Sequence, residues 1–119
     1  MSMKAKTRRV DSVTVVDISG RITLGDDLAE LRQLIRNLLA QGQKSILLNL
    51  ADVTYIDSSG IGELVSGFTT ASNQGGNLKL LNLTKKVQDL LQITKLLTVF
   101  DVYEDEAKAI VSFSTAAKA

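Results

Sequence analysis

The chain has 119 residues, 45% of them apolar and 23% charged, and contains no Pro, Cys, His or Trp. That length suits one domain with its own core, and the missing residue types exclude disulfides, Cys/His zinc centres, thiol catalysis and Ser-His-Asp or Cys-His pairs. A net charge of +1 and five aromatic residues offer neither an electrostatic footprint for nucleic acid nor a base-stacking platform.

Residues 1–9 carry Lys4, Lys6, Arg8 and Arg9 and are expected to form a flexible, solvated basic segment. No apolar stretch follows that would make a signal peptide, and no run approaches the roughly 20 residues of a membrane span. A cytoplasmic protein without a membrane span is expected. Val10, Val13, Val15, Val16 and Ile18 mark β-rich sequence, with Asp11-Ser12 as a hairpin turn and Gly20 as a stop. Leu28, Leu31, Leu34, Ile35, Leu38 and Leu39 then recur at steps of three and four, the stripe of a helix. Asp26 and Asp27 suit its N-terminus as acceptors of free N–H groups, and Gln41-Gly42 ends it.

Residues 45–50 are nearly all apolar, which predicts a strand buried on both faces. A second helix shows Ile61, Leu64, Val65, Phe68 and Ala71 on one side, and Gly75-Gly76 stops it. Leu78, Leu80, Leu81 and Leu83 form another buried strand. Thr84 caps a third helix with Val87, Leu90, Leu91 and Ile93 inward. Residues 99–103 read as the last strand, and 104–113 as a helix with Ala107, Ile110 and Val111 on its apolar side. The domain is expected over 10–113, and the Ala/Ser-rich tail over 114–119 is expected to fray. The order β-β-α-β-α-β-α-β-α predicts an α/β fold with a mixed sheet and right-handed parallel crossovers.

The distinctive segment is Asp57-Ser58-Ser59-Gly60-Ile61-Gly62, between a buried strand and a helix. Strand-to-helix junctions of open sheets are common ligand and modification sites, and a helix N-terminus favours a phosphate. Gly60 and Gly62 keep the approach open. The same residues also make an ordinary turn and cap, and both readings stand on the residues alone. No G-x-x-x-x-G-K-[ST] loop and no G-x-S-x-G elbow is present. An enzyme is therefore not expected, nor is a cofactor.

Opposite the apolar stripe of the second helix lie Gly62, Glu63, Ser66, Thr69, Thr70 and Asn73. These mostly short side chains give a flat face for a partner protein, or a plain solvated face. Gly and β-branched residues there lower helix propensity, which selection for stability alone would avoid. Lys85 and Lys86 at a helix start oppose the dipole with no evident gain. The acidic stretch Asp101, Glu104, Asp105 and Glu106 needs only dipole complementarity, and no metal, to explain it.

The residues from 10 to 110 resemble a STAS domain of the anti-sigma factor antagonist family. The resemblance rests on Gly20, on Ile46-Leu47-Leu48-Asn49-Leu50 leading to Val53 and Ile56, on Asp57-Ser58-Ser59-Gly60-Ile61-Gly62, and on Gly75-Gly76, residues 78–83 and 96–100. It implies a four- to five-stranded mixed sheet with four helices mainly on one face. It also implies a partner switch. The unphosphorylated protein binds an anti-sigma factor of the Ser/Thr kinase type and so frees a sigma factor. The kinase phosphorylates the Ser after the motif Asp, and a Ser phosphatase reverses this. Ser58 matches that position. Asp57, Ser59 and Gly60 match its neighbours, with Ser59 the better placed for capping. Gly62, Glu63, Ser66 and Thr70 are expected to meet the partner. The stretch Arg21-Ile22-Thr23-Leu24-Gly25 departs from the family pattern. The alternative is a constitutive STAS subunit of a signalling scaffold or transport complex.

Overall fold

The computed structural model describes residues 3–118, with side chains as far as Ser114. The chain opens with a hairpin. Strand β1 (Met3–Val10) runs antiparallel to β2 (Val13–Ile22), from Met3 opposite Gly20 to Val10 opposite Val13. Asp11, in the turn, has φ 56°, a left-handed conformation that Asp tolerates. The basic segment expected to be flexible is therefore an edge strand, and the boundary expected at residue 10 falls inside a hairpin. The reason lies in its alternation: Met3 is buried and Ala5 packs against the core, while Lys4, Lys6 and Arg8 point to the opposite, more solvated face. The part of that segment at 1–2, like residue 119 of the tail, lies outside the described residues.

Helix α1 (Asp26–Ala40) follows, then β3 (Ser45–Ile56), α2 (Ser58–Asn73), β4 (Asn77–Leu81), α3 (Lys85–Ile93), a 3-10 turn (Leu97–Val99), β5 (Val102–Tyr103) and α4 (Glu106–Lys118). The sheet order is β1-β2-β3-β4-β5, with every pair after the first parallel. The fold is a single α/β domain with a five-stranded mixed sheet and four helices. α1, α2 and α3 pack on one face around Ile46, Leu48 and Leu50. α4 covers part of the other face, where Ala109, Ile110 and Phe113 meet Val13, Val15, Leu47 and Leu81. β3 is buried on both sides for this reason.

Several expectations are corrected. The last strand is only Val102–Tyr103, because residues 97–99 turn instead. Ile93 is 78% exposed at the end of α3, and Val111 is 63% exposed on α4. The buried stripe of α4 is Ala109, Ile110 and Phe113, one step round from the expected one. The tail expected to fray continues α4 to Lys118, in keeping with its Ala and Lys content. Thr84 caps α3 as expected, accepting from the Val87 N–H. At α1 the N-cap is Gly25, with no side-chain bond, and Asp26 and Asp27 occupy the first turn.

Candidate functional site

β3 ends at Ile56 and α2 starts at Ser58, with Asp57 as the N-cap in extended conformation. The Asp57 carboxylate accepts from the Gly60 N–H at 2.8 Å through Oδ1 and from the Leu24 N–H at 3.3 Å through Oδ2. The Asp57 N–H donates to the Ile22 carbonyl at 3.3 Å. One residue thus caps a helix and ties it to the loop after β2. A cap of this kind contributes about 1 kcal/mol. Of the Asp and Ser residues expected to cap here, Asp57 holds the position, because only the residue before the first turn lets its side chain fold back onto the third N–H.

Ser58 is the first residue of α2 and is exposed; Ser59 is half-buried. Ser58 stands where the helix dipole is positive and N–H groups are least satisfied. Gly60 does more than leave space. A Cβ there would lie 2.5 Å from the Ile22 carbonyl oxygen and 2.6 Å from Ile56 Cγ1, so only glycine lets α2 enter this close to β2 and β3. At Gly62 a Cβ would meet nothing within 4 Å, and that position is open as expected.

The expected partner face needs one revision. Glu63 is not an exposed member of it: it is 4% exposed and pairs with Arg32 of α1 at 2.8 Å. That bond holds the Arg32 guanidinium above its ordinary pKa. Ser66 is exposed and Thr70 half-buried, and with Gly67, Arg32 and Arg36 they line a notch between α1 and α2. The face is therefore built by two helices. Sequence reading missed Arg32 and Arg36, whose only signal was their place on the polar side of α1. It also missed Leu24, whose amide meets Asp57 and whose side chain is 77% exposed. The departing stretch 21–25 thus meets Asp57, the residue before Ser58, through Ile22 and Leu24.

The family model for the STAS domain matches residues 4–109. The anti-sigma-B factor antagonist of Bacillus subtilis (strain 168) is 32% identical over 102 residues, 86% of this chain and 92% of the relative. The chain belongs to the STAS domain family of anti-sigma factor antagonists. Solved STAS structures share the fold. A putative anti-sigma factor antagonist from Thermotoga maritima superposes with a TM-score of 0.82 at 23% identity, covering 92% of this chain and 94% of that one. The Bacillus cell fate determinant SpoIIAA in its phosphorylated form gives a TM-score of 0.72 at 21% identity, covering 92% and 98%. Among the described residues of this STAS domain, no helix is long and apolar enough to cross a membrane.

Proposed function

We propose that this STAS domain is a phosphorylation-controlled partner switch, a binding protein rather than an enzyme, that acts in the cytoplasm. Unphosphorylated, it binds an anti-sigma factor of the Ser/Thr kinase type and thereby releases a sigma factor. The kinase transfers the γ-phosphoryl of its bound nucleotide to Ser58 Oγ. The P–O bond to the leaving diphosphate breaks, the new O–P bond forms, and the serine proton passes to the kinase's catalytic base. A Ser phosphatase hydrolyses that O–P bond with water, which returns the hydroxyl and releases inorganic phosphate.

The observation that carries this reading is the position of Ser58: exposed, at the first turn of a helix that Asp57 and Gly60 anchor. No internal base is needed, since the kinase supplies it. Phosphate adds about −1.5 to −2 charge at neutral pH. The helix N-terminus returns roughly 0.3–1 kcal/mol of favourable interaction, so the fold tolerates the modification. A docked partner does not. Bulk, desolvation and the neighbouring Asp57 carboxylate act against binding, and about 3 kcal/mol of such loss is more than a hundredfold in affinity. Asp57, Ser59 and Gly60 shape the loop that the kinase reads, and Gly62, Ser66 and Thr70 form the face on which it rests. Glu63 contributes by holding Arg32 at the edge of that face.

The test is capture from cells with wild-type, Ser58→Ala and Ser58→Asp baits, with mass spectrometry of partners and phosphosites. The expected result is an anti-sigma factor retained by Ser58→Ala, lost by Ser58→Asp, and phosphate on Ser58 alone. Phosphate on Ser59 alone, or equal capture by all three baits, rejects the switch; equal capture favours a constitutive scaffold or transport subunit.

A further inference from the structure

At the end of β3, three residues before Ser58, Tyr55 receives two cations. The Arg21 guanidinium carbon lies 4.8 Å from the ring centroid and the Lys86 ammonium 5.0 Å. Arg21 comes from the register partner of Tyr55 on β2, and Lys86 from the first turn of α3. Both side chains belong to exposed residues. Two like charges on one ring repel each other, and Lys86 also opposes the dipole of its own helix. A carboxylate would relieve this, yet five carboxylates in ion pairs among the described residues serve other cations. Asp17 and Glu106 pair with Arg8, Glu63 with Arg32, Asp89 with Lys85 and Asp101 with Lys79. Beside the ring, Tyr55, Ile56, Leu90 and Ile93 line a shallow groove rimmed by Lys86 and Asp89. Ile93 spends 78% of its surface on solvent there.

We propose that this Arg21–Tyr55–Lys86 surface, with the groove reaching to Ile93, docks an acidic segment of the protein partner: an apolar side chain in the groove, flanked by carboxylates that meet Arg21 and Lys86. Charge complementarity selects that occupant. Cations stacked on the ring occupy it against base stacking, and a net charge of +1 provides no broad field for a membrane or a nucleic acid. The proposal deepens the switch reading and rests on it for the partner being a protein. Phosphate on Ser58 would add negative charge at the same end of the sheet and weaken the attraction for those carboxylates, so one modification would act on both halves of the contact.

The probe is a fluorescein-labelled dodecapeptide alternating leucine with aspartate and glutamate, beside a copy with lysine for every acid. Fluorescence anisotropy reads binding to the purified unphosphorylated protein. Urea midpoints check that each variant is folded. The acidic peptide is expected to bind and the lysine copy not. Arg21→Gln with Lys86→Gln should weaken binding at least about tenfold, and Ile93→Gln by roughly threefold to tenfold. Lys4→Gln with Lys6→Gln, an equal loss of charge on β1, should change it less than about twofold. No binding of the acidic peptide, an equal loss in the β1 control, or tighter binding of the patch to phosphatidylglycerol vesicles than to the peptide overturns the proposal. The readout does not involve Ser58 modification. Failure here leaves the phosphorylation reading standing, and an unmodified Ser58 in cells leaves the docking surface standing.

Discussion

Three helices cover one face of the sheet and a single helix covers part of the other, and different forces hold the two covers. The α1–α3 face is a continuous apolar layer from Met3 to Phe100. The α4 face has a small apolar cluster and relies on polar ties. Lys79, 4% exposed, donates to the Ser112 hydroxyl at 3.0 Å and sits 4.8 Å from the Phe113 ring centroid. Arg8 bonds to Glu106 at the start of the helix. The proposed switch, Ser58, is carried by the thick layer, so a charge added there meets a rigid support. The thin cover is the part expected to open first, because local stability follows buried apolar contact.

The largest expected effect comes from breaking the thin cover. Phe113 is 4% exposed and is the largest buried side chain of its small cluster. Phe113→Ala should cost about 3 kcal/mol, the low end for a buried phenylalanine because solvent can enter from the edge. Hydrogen exchange should show lost protection in α4 and β5, while amides of α2 keep theirs to a greater depth. Equal loss in α2 would mean that the two covers unfold as one unit.

The second effect attacks the thick layer at its tightest point. Gly60→Ala drives a Cβ into the Ile22 carbonyl and the Ile56 side chain. A backbone oxygen cannot move aside as a side-chain tip can, so the substitution should cost about 1–3 kcal/mol. Gly62→Ala, two residues on and facing open space, should be neutral or stabilising by roughly 0.5–1 kcal/mol. Urea denaturation of the pair gives the contrast directly, and similar midpoints for both would refute the close-approach account.

The same contrast explains what could be read in advance. The helical stripe of α1 and the apolar run of β3 were legible because each is a local period imposed by a nearby core. Asp57-Ser58-Ser59-Gly60 was legible as a junction for the same reason. What escaped depended on residues distant in sequence. Glu63 looks solvated until Arg32, 31 residues earlier, is placed against it. Gly60 looks like an open approach until Ile22 arrives beneath it. Lys4, Lys6 and Arg8 disguise β1, since only the alternate positions Met3 and Ala5 carry its inward signal. The stripe of α4 was misplaced by one step because its cover is thin: Ala109, Ile110 and Phe113 are too few to impose a clear period over Val111.

The smallest effect sharpens the comparison through pH. Arg8 bonds to Asp17 at 2.7 Å and to Glu106 at 2.6 Å, joining β1, β2 and α4. The guanidinium holds both carboxyls below their ordinary pKa, and they hold it above its own. A carboxyl with a lowered pKa in the folded state contributes its stability above the ordinary carboxylate value. It loses that contribution as pH falls through the lowered value. The cluster therefore stabilises the protein at neutral pH and fails in acid, from the ordinary carboxylate range downward. All three side chains are more than a third exposed, so solvent screening limits the whole contribution to under about 1 kcal/mol. Arg8→Gln should lower the urea midpoint at about pH 7, and its difference from wild type should shrink progressively as pH falls below the ordinary carboxylate range. Added salt should shrink the neutral-pH difference. Since Glu106 opens α4, the lost protection should fall on that helix. A difference between wild type and Arg8→Gln that persisted in acid would assign the contribution of Arg8 to packing of its stem instead of its charge.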